Sequence, residues 1–216
     1  MPRQNRLNPF GEIIAAPERE TFMGNRGVLH DEEGSIRRAW QGKRWIVCVL
    51  DFRGRKRKVM TPGRYTELFF LDEATALAAG HRPCAECRRE RFNAFRKAWR
   101  MDENLHPPTA AEIDNRLHTE RLAPDKKKKV HLANLAELPN GVFVKIGDYG
   151  ENAYLVWNDR LLLWTAGGYS GRKKRPQDAK VVVLTPRSTV EAICSGYVPE
   201  IHTSAFSPGG QAGGIT

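Results

Sequence analysis

Two cysteines held two residues apart, Cys84-Ala-Glu-Cys87, set the strongest limit on this sequence. A turn of that length brings two thiolates to the bite of one metal ion, and four cysteines in 216 residues are too few for a disulfide scaffold. Taken alone, the pair is half of a tetrahedral site, and it equally suits two small side chains at the start of a helix. A thioredoxin-like redox role lacks its context, because no strand followed by a Trp-Cys-Gly-Pro-type turn leads into the pair.

Charge gathers on both sides of the cysteines. The formal net charge is +10. Residues Lys43 to Arg64 hold eight basic side chains against Asp51, and Arg82 to Arg100 hold seven against Glu86 and Glu90. Such a field attracts polyanions, and release of counterions makes nucleic acid its usual partner. The plain alternative is a solvated face. Lys126 to Lys129, after Ala123-Pro124-Asp125, reads as an exposed linker and only secondarily as a phosphate contact. No run of eighteen apolar residues occurs and the first eight residues are polar, so the expectation is a cytoplasmic protein without a membrane span. There is no Walker loop and no dinucleotide fingerprint.

The pattern predicts an α+β chain. Residues 1–25 read as a loose N-terminal segment carrying Pro2, Pro9 and Pro17. Within 26–123, Trp45 to Leu50 forms a strand with Lys58 to Met60 as its hairpin partner, and Asp72 caps a short helix ending at Gly80. From Ala85 to Arg100, Phe92, Phe95 and Trp99 recur at helical spacing, which places Cys87 in the first turn of a helix. Thr109 and Glu112 make a capping box for a further helix. Residues 124–130 read as a linker. Residues 131–203 form a β-rich region: a meander of Val142 to Ile146, Ala153 to Trp157, Leu161 to Trp164 and Lys180 to Leu184, a basic loop over Gly167 to Pro176, and a final helix capped by Ser188 with Cys194 in its core face. Residues 204–216 read as a flexible tail.

The stretch from Phe69-Phe70 through the Asp72-Glu-Ala-Thr-Ala-Leu-Ala-Ala-Gly80 helix to His81-Arg-Pro-Cys84-Ala-Glu-Cys87-Arg88 resembles the second half of the zinc domain of Ada-type DNA-repair proteins. The resemblance spans residues 69–88 and implies a small Ada-like zinc-binding region, in which Cys84 and Cys87 bind zinc with Arg82 and Arg88 as basic neighbours. Where that family places its first two cysteines, this sequence has Arg53, Arg57 and their neighbours, so the family's methyl-acceptor activity is not carried over. Cys48, His30 and His81 are the candidate further ligands, with His106 and His118 behind them.

Three functions compete. The leading reading is a nucleic-acid-binding protein with DNA as the expected partner, in repair or processing. In it, zinc orders the helix after Cys87 while Arg53, Arg55, Lys56, Arg57, Arg82, Arg88, Arg89, Arg91, Arg96 and Lys97 contact phosphates. The alternative is a metal-dependent nuclease or other hydrolase, with Asp114 and His118 four apart on a helix and Asp102, Glu103, His106 and Glu112 nearby. A lesser alternative is a zinc nucleobase deaminase, in which His30 joins the cysteines and Glu32 carries the proton.

Overall fold

A computed structural model describes residues 1–55, 58–99, 107–147 and 151–206, and among them the chain is α+β. Strands β1 (Gln4–Leu7), β2 (Ile13–Ala15), β3 (Phe22–Asn25), β4 (Ile46–Cys48), β5 (Leu68–Phe70) and β6 (Arg82–Pro83) form one sheet, ordered β2-β1-β5-β3-β4-β6. A second sheet, ordered β11-β10-β9-β8-β12-β7, contains β7 (His131–Asn134), β8 (Phe143–Lys145), β9 (Tyr154–Trp157), β10 (Arg160–Thr165), β11 (Gly168–Lys174) and β12 (Lys180–Val183).

Helix α1 (Glu73–Ala78) joins the sheets. Asp72 caps it by accepting from the Thr75 amide and hydroxyl, at 2.8 and 2.7 Å. Its small side chains let every residue of the helix be buried. Ala76 and Ala79 pack with Leu7, Leu68 and Phe70 of the first sheet, whereas Ala74 and Ala78 pack with Phe143, Leu155 and Leu162 of the second. Glu73, also buried, receives Arg88 at 2.8 Å, Arg91 at 2.6 Å and the Tyr197 hydroxyl at 2.5 Å.

The remaining helices lie on the second sheet. Phe92 and Phe95 of α2 (Arg89–Ala98) and Ile113 and Leu117 of α3 (Ala110–Arg121) share a core with Val144, Val181 and Val183, which Ala192 and Ile193 of α4 (Arg187–Cys194) complete. Burying each such side chain is worth about 1.5–3 kcal/mol, and this core draws on residues both before and after the 124–130 segment. Residues 124–130 are accordingly a turn within one structure rather than a spacer. The Ala123 amide donates to Lys127, the Lys129 amide to Arg121, and Lys128 sends its ammonium inward to the Ala78 carbonyl at 2.6 Å.

Several local expectations are corrected by long-range pairing. The first 25 residues supply three strands, with β1 pairing β2 and β5 and Leu7 fully buried. Strand β4 takes β3 and β6 as neighbours rather than Lys58 to Met60. Much of the supposed basic loop is edge strand β11, whose Arg172, Lys173 and Lys174 are exposed charges of the kind that protect a sheet edge. Helix α2 starts at Arg89, so Cys87 precedes it. Ser188 does not cap α4: its amide and hydroxyl donate to Glu120, and Cys194 is exposed. The Thr109–Glu112 capping box is present.

Candidate metal centre and its groove

Strand pairing builds the centre. Strands β4 and β6 run parallel, with Ile46 opposite Arg82 and Val47 opposite Pro83, and the Cys84 amide donates to the Val47 carbonyl at 2.9 Å. The next residue along each chain, Cys48 at the end of β4 and Cys84 just after β6, is therefore a cysteine beside a cysteine. Cys48, 36 residues before Cys84 in the chain, becomes its spatial neighbour, and the turn after Cys84 returns Cys87 to the same point. The sulfurs of Cys48, Cys84 and Cys87 lie within 4.8 Å of one another, the one group of three or more such side chains among the described residues with the spacing for a metal ion.

The local electrostatics favour thiolate at Cys84. Hydrogen bonds from the Cys48 and Cys87 thiols lower its pKa against the opposing effect of burial, and the amides of Cys87 and Glu86 add to the effect, the latter 3.4 Å from Sγ. Cys48 is pushed up in turn, because its proton is held toward Cys84 and Cys87 and the side chain is buried. Three soft donors around a shared point suit a metal ion of the zinc class better than an oxygen-seeking one such as magnesium.

The sulfurs line a groove of about 1000 Å³. Met23, Phe52, Tyr65 and Phe69 give it apolar walls, and Arg44, Arg55, Glu67 and Glu86 give it charge. Arg53 and Arg55 lie over the Phe52 ring, at 5.0 and 5.2 Å from its centroid, and both are exposed. Arg55 also meets Glu86 at 3.3 Å in an exposed pair of small energetic worth. Nothing in the spacing of the sequence singles out Tyr65 or Glu67.

The candidate ligands and phosphate contacts separate sharply. His30 is buried beside Thr66, with Nδ1 2.6 Å from the Thr66 hydroxyl and Nε2 3.3 Å from the Thr61 carbonyl, outside the sulfur cluster. Glu32 is exposed, so the deaminase arrangement of His30, Glu32 and the cysteines is not assembled. His81 is fully buried against Trp45 and Phe70, also away from the sulfurs. Asp114 gives both carboxylate oxygens to Arg82, and His118 packs edge-on against Trp40 at 5.0 Å, so these two do not converge on one ion. His106, Asp102 and Glu103 lie outside the described residues, as do Lys56 and Arg57.

Of the arginines, Arg82 and Arg88 are buried in ion pairs, and Arg91 is half-buried against Glu73 and Glu200. Arg96 donates to the Pro107 carbonyl. Arg53, Arg55, Arg89 and Lys97 are exposed. Among the described residues no helix is long and apolar enough to cross a membrane. No family model matches the chain, and comparison with curated proteins and with solved structures gave no match.

Proposed function

We propose that this chain is a zinc-thiolate protein that binds DNA along the groove beside Cys48, Cys84 and Cys87. The observation that carries the reading is that the sulfur cluster and exposed Arg55 line one groove, with exposed Arg53 beside it over the Phe52 ring. Zinc on three thiolates would tie β4, β6 and the turn before α2 together, leaving its fourth tetrahedral position to a further ligand. Arg44 and Arg55 line the groove, and exposed Arg53, Lys58 and Arg64 adjoin its lining residues Phe52, Val59 and Tyr65 in sequence. Aromatic side chains among these cations suit a sugar-phosphate chain whose bases can stack. The likeness of residues 69–88 to the Ada zinc domain supports the same reading, now with Cys48 as third sulfur.

The test is fluorescence anisotropy of labelled DNA across a range of salt, with zinc-loaded and zinc-stripped protein. Binding that weakens steeply with salt and is lost on stripping supports the proposal. Equal affinity with and without zinc, or binding indifferent to salt, overturns it.

A further inference from the structure

The opposite face of the first sheet holds a second concentration of charge, independent of the thiolate groove. Side chains alternate along β4, so Ile46 and Cys48 face the groove while Trp45, just before the strand, lines a hollow of about 920 Å³. The hollow runs from the first sheet to Val182 and Leu184 at the end of β12.

Its inner wall is cationic. Arg26 and Arg121 are each 2% exposed and lie over the Trp45 ring, 4.7 and 3.8 Å from its centroid. Arg26 donates to the Gly11 carbonyl; Arg121 donates to the carbonyls of Gly80 and Lys43 and approaches His118. Lys128 reaches the Ala78 carbonyl. Among the described residues none of the three forms an ion pair, and Nε of both arginines has no hydrogen-bond partner. Asp114, the nearest acidic influence on Arg121, is committed to Arg82. Glu12 and Glu151, also in the wall, are engaged by Asn8 and Lys145.

Such burial is costly without a counter-charge. Burial pulls Lys128 down to about 7, with Arg26 contributing, and pulls Arg26 and Arg121 down to about 9. The backbone is shaped for this assembly: Gly80 has a φ of +87°, and a Cβ there would lie 2.8 Å from Arg121 Cδ. At the rim stand Arg37, Arg38, Lys126 and Lys127, with the Trp40 and Phe10 rings beside them.

We propose that this hollow binds a phosphate monoester, with Arg26, Arg121 and Lys128 supplying the counter-charge and the rim aromatics receiving an attached base. A guanidinium offers planar paired donors to phosphate oxygens, and Nε of each arginine has no hydrogen-bond partner of its own. A free nucleotide and the 5′ end of a nucleic acid carry the same group. The site shares no lining residue with the thiolate groove and stands whether or not that groove binds DNA.

The test is calorimetric titration of the full chain with inorganic phosphate, with AMP, and with a short single-stranded oligonucleotide bearing either a 5′-phosphate or a 5′-hydroxyl. Inorganic phosphate and AMP are expected to bind, and the 5′-phosphorylated oligonucleotide to bind tighter than its 5′-hydroxyl counterpart, which keeps only any contact with the thiolate groove; the tighter of AMP and the phosphorylated oligonucleotide identifies the source. Lys128→Met and Arg121→Met should each weaken that binding by about tenfold or more. Without ligand, Lys128→Met should melt no lower than the native chain, because it removes a half-buried cation with no ion-pair partner among the described residues. Cys84→Ser should leave phosphate binding in place. Failure of inorganic phosphate and AMP to bind with no gain in affinity from the oligonucleotide's 5′-phosphate, or unchanged phosphate binding by folded Lys128→Met, overturns the assignment.

Discussion

Arg82 donates through Nε and Nη2 to the two carboxylate oxygens of Asp114, at 2.9 and 2.8 Å, and both side chains are buried. The sequence offers these residues to different tasks, one to phosphate and the other to a catalytic ion, and the fold uses each to neutralise the other. Removing one partner leaves an uncompensated buried charge. Asp114→Ala is therefore expected to lose about 3–5 kcal/mol of stability in urea denaturation, whereas the paired change Arg82→Met with Asp114→Leu should recover most of that loss.

Arg88 and Arg55 make a second contrast. Arg88 is 2% exposed at its side chain and bound to Glu73, which is 0% exposed, while Arg55 stands 47% exposed at the groove. Arg55→Ala should leave the melting temperature almost unchanged, weaken DNA binding, and reduce the slope of log affinity against log salt by about 0.9, the share of one neutralised phosphate. Arg88→Ala should instead lower stability by about 1.5–3 kcal/mol, because the buried Glu73 carboxylate loses one of its two charged donors and keeps Arg91. Urea titration and salt-dependent anisotropy on the two variants separate these roles.

Cys48 sits in an apolar strand and lacks a partner at Cys-x-x-Cys spacing, yet it completes the sulfur cluster. Cys48→Ser should lower bound zinc, measured by elemental analysis, as much as Cys84→Ser does. Cys194→Ser, altering an exposed thiol at the end of α4, should leave zinc unchanged. Retention of full zinc by Cys48→Ser would remove it from the ligand set.

Glu20 supplies a pH signature away from both sites. Burial raises its carboxyl to about 8; Arg6, 3.9 Å away, opposes the shift, and the charges of Asp72 and Glu18 reinforce it. The folded state thus keeps a proton that the unfolded chain releases near its ordinary value of 4.5, so stability falls as pH rises from there toward 8. Glu20→Gln should melt higher than the native chain at about pH 8 and nearly the same at about pH 4.5. A melting difference independent of pH would show that Glu20 does not bind this proton on folding.

The sequence by itself determined the pieces whose causes are local. The Asp72 cap, the alanine-rich α1, the Thr109–Glu112 box, the aromatic face of α2 and most of the meander follow from neighbouring residues and from period, and the Cys84–Cys87 turn by itself brings two sulfurs together. The tertiary structure decided what depends on distant partners. Cys48 entered the centre because β4 and β6 pair in parallel, and residues 1–25 became strands because β5 and β2 were there to receive β1. The same holds for charge. A run of arginines reads alike whether solvated or buried, and only packing showed that Arg82 and Arg88 meet carboxylates, that Arg53 and Arg55 meet water, and that Arg26 and Arg121 face one tryptophan with no carboxylate paired to them among the described residues. Periodicity records which face a side chain takes, whereas the neighbour across that face comes from another part of the chain.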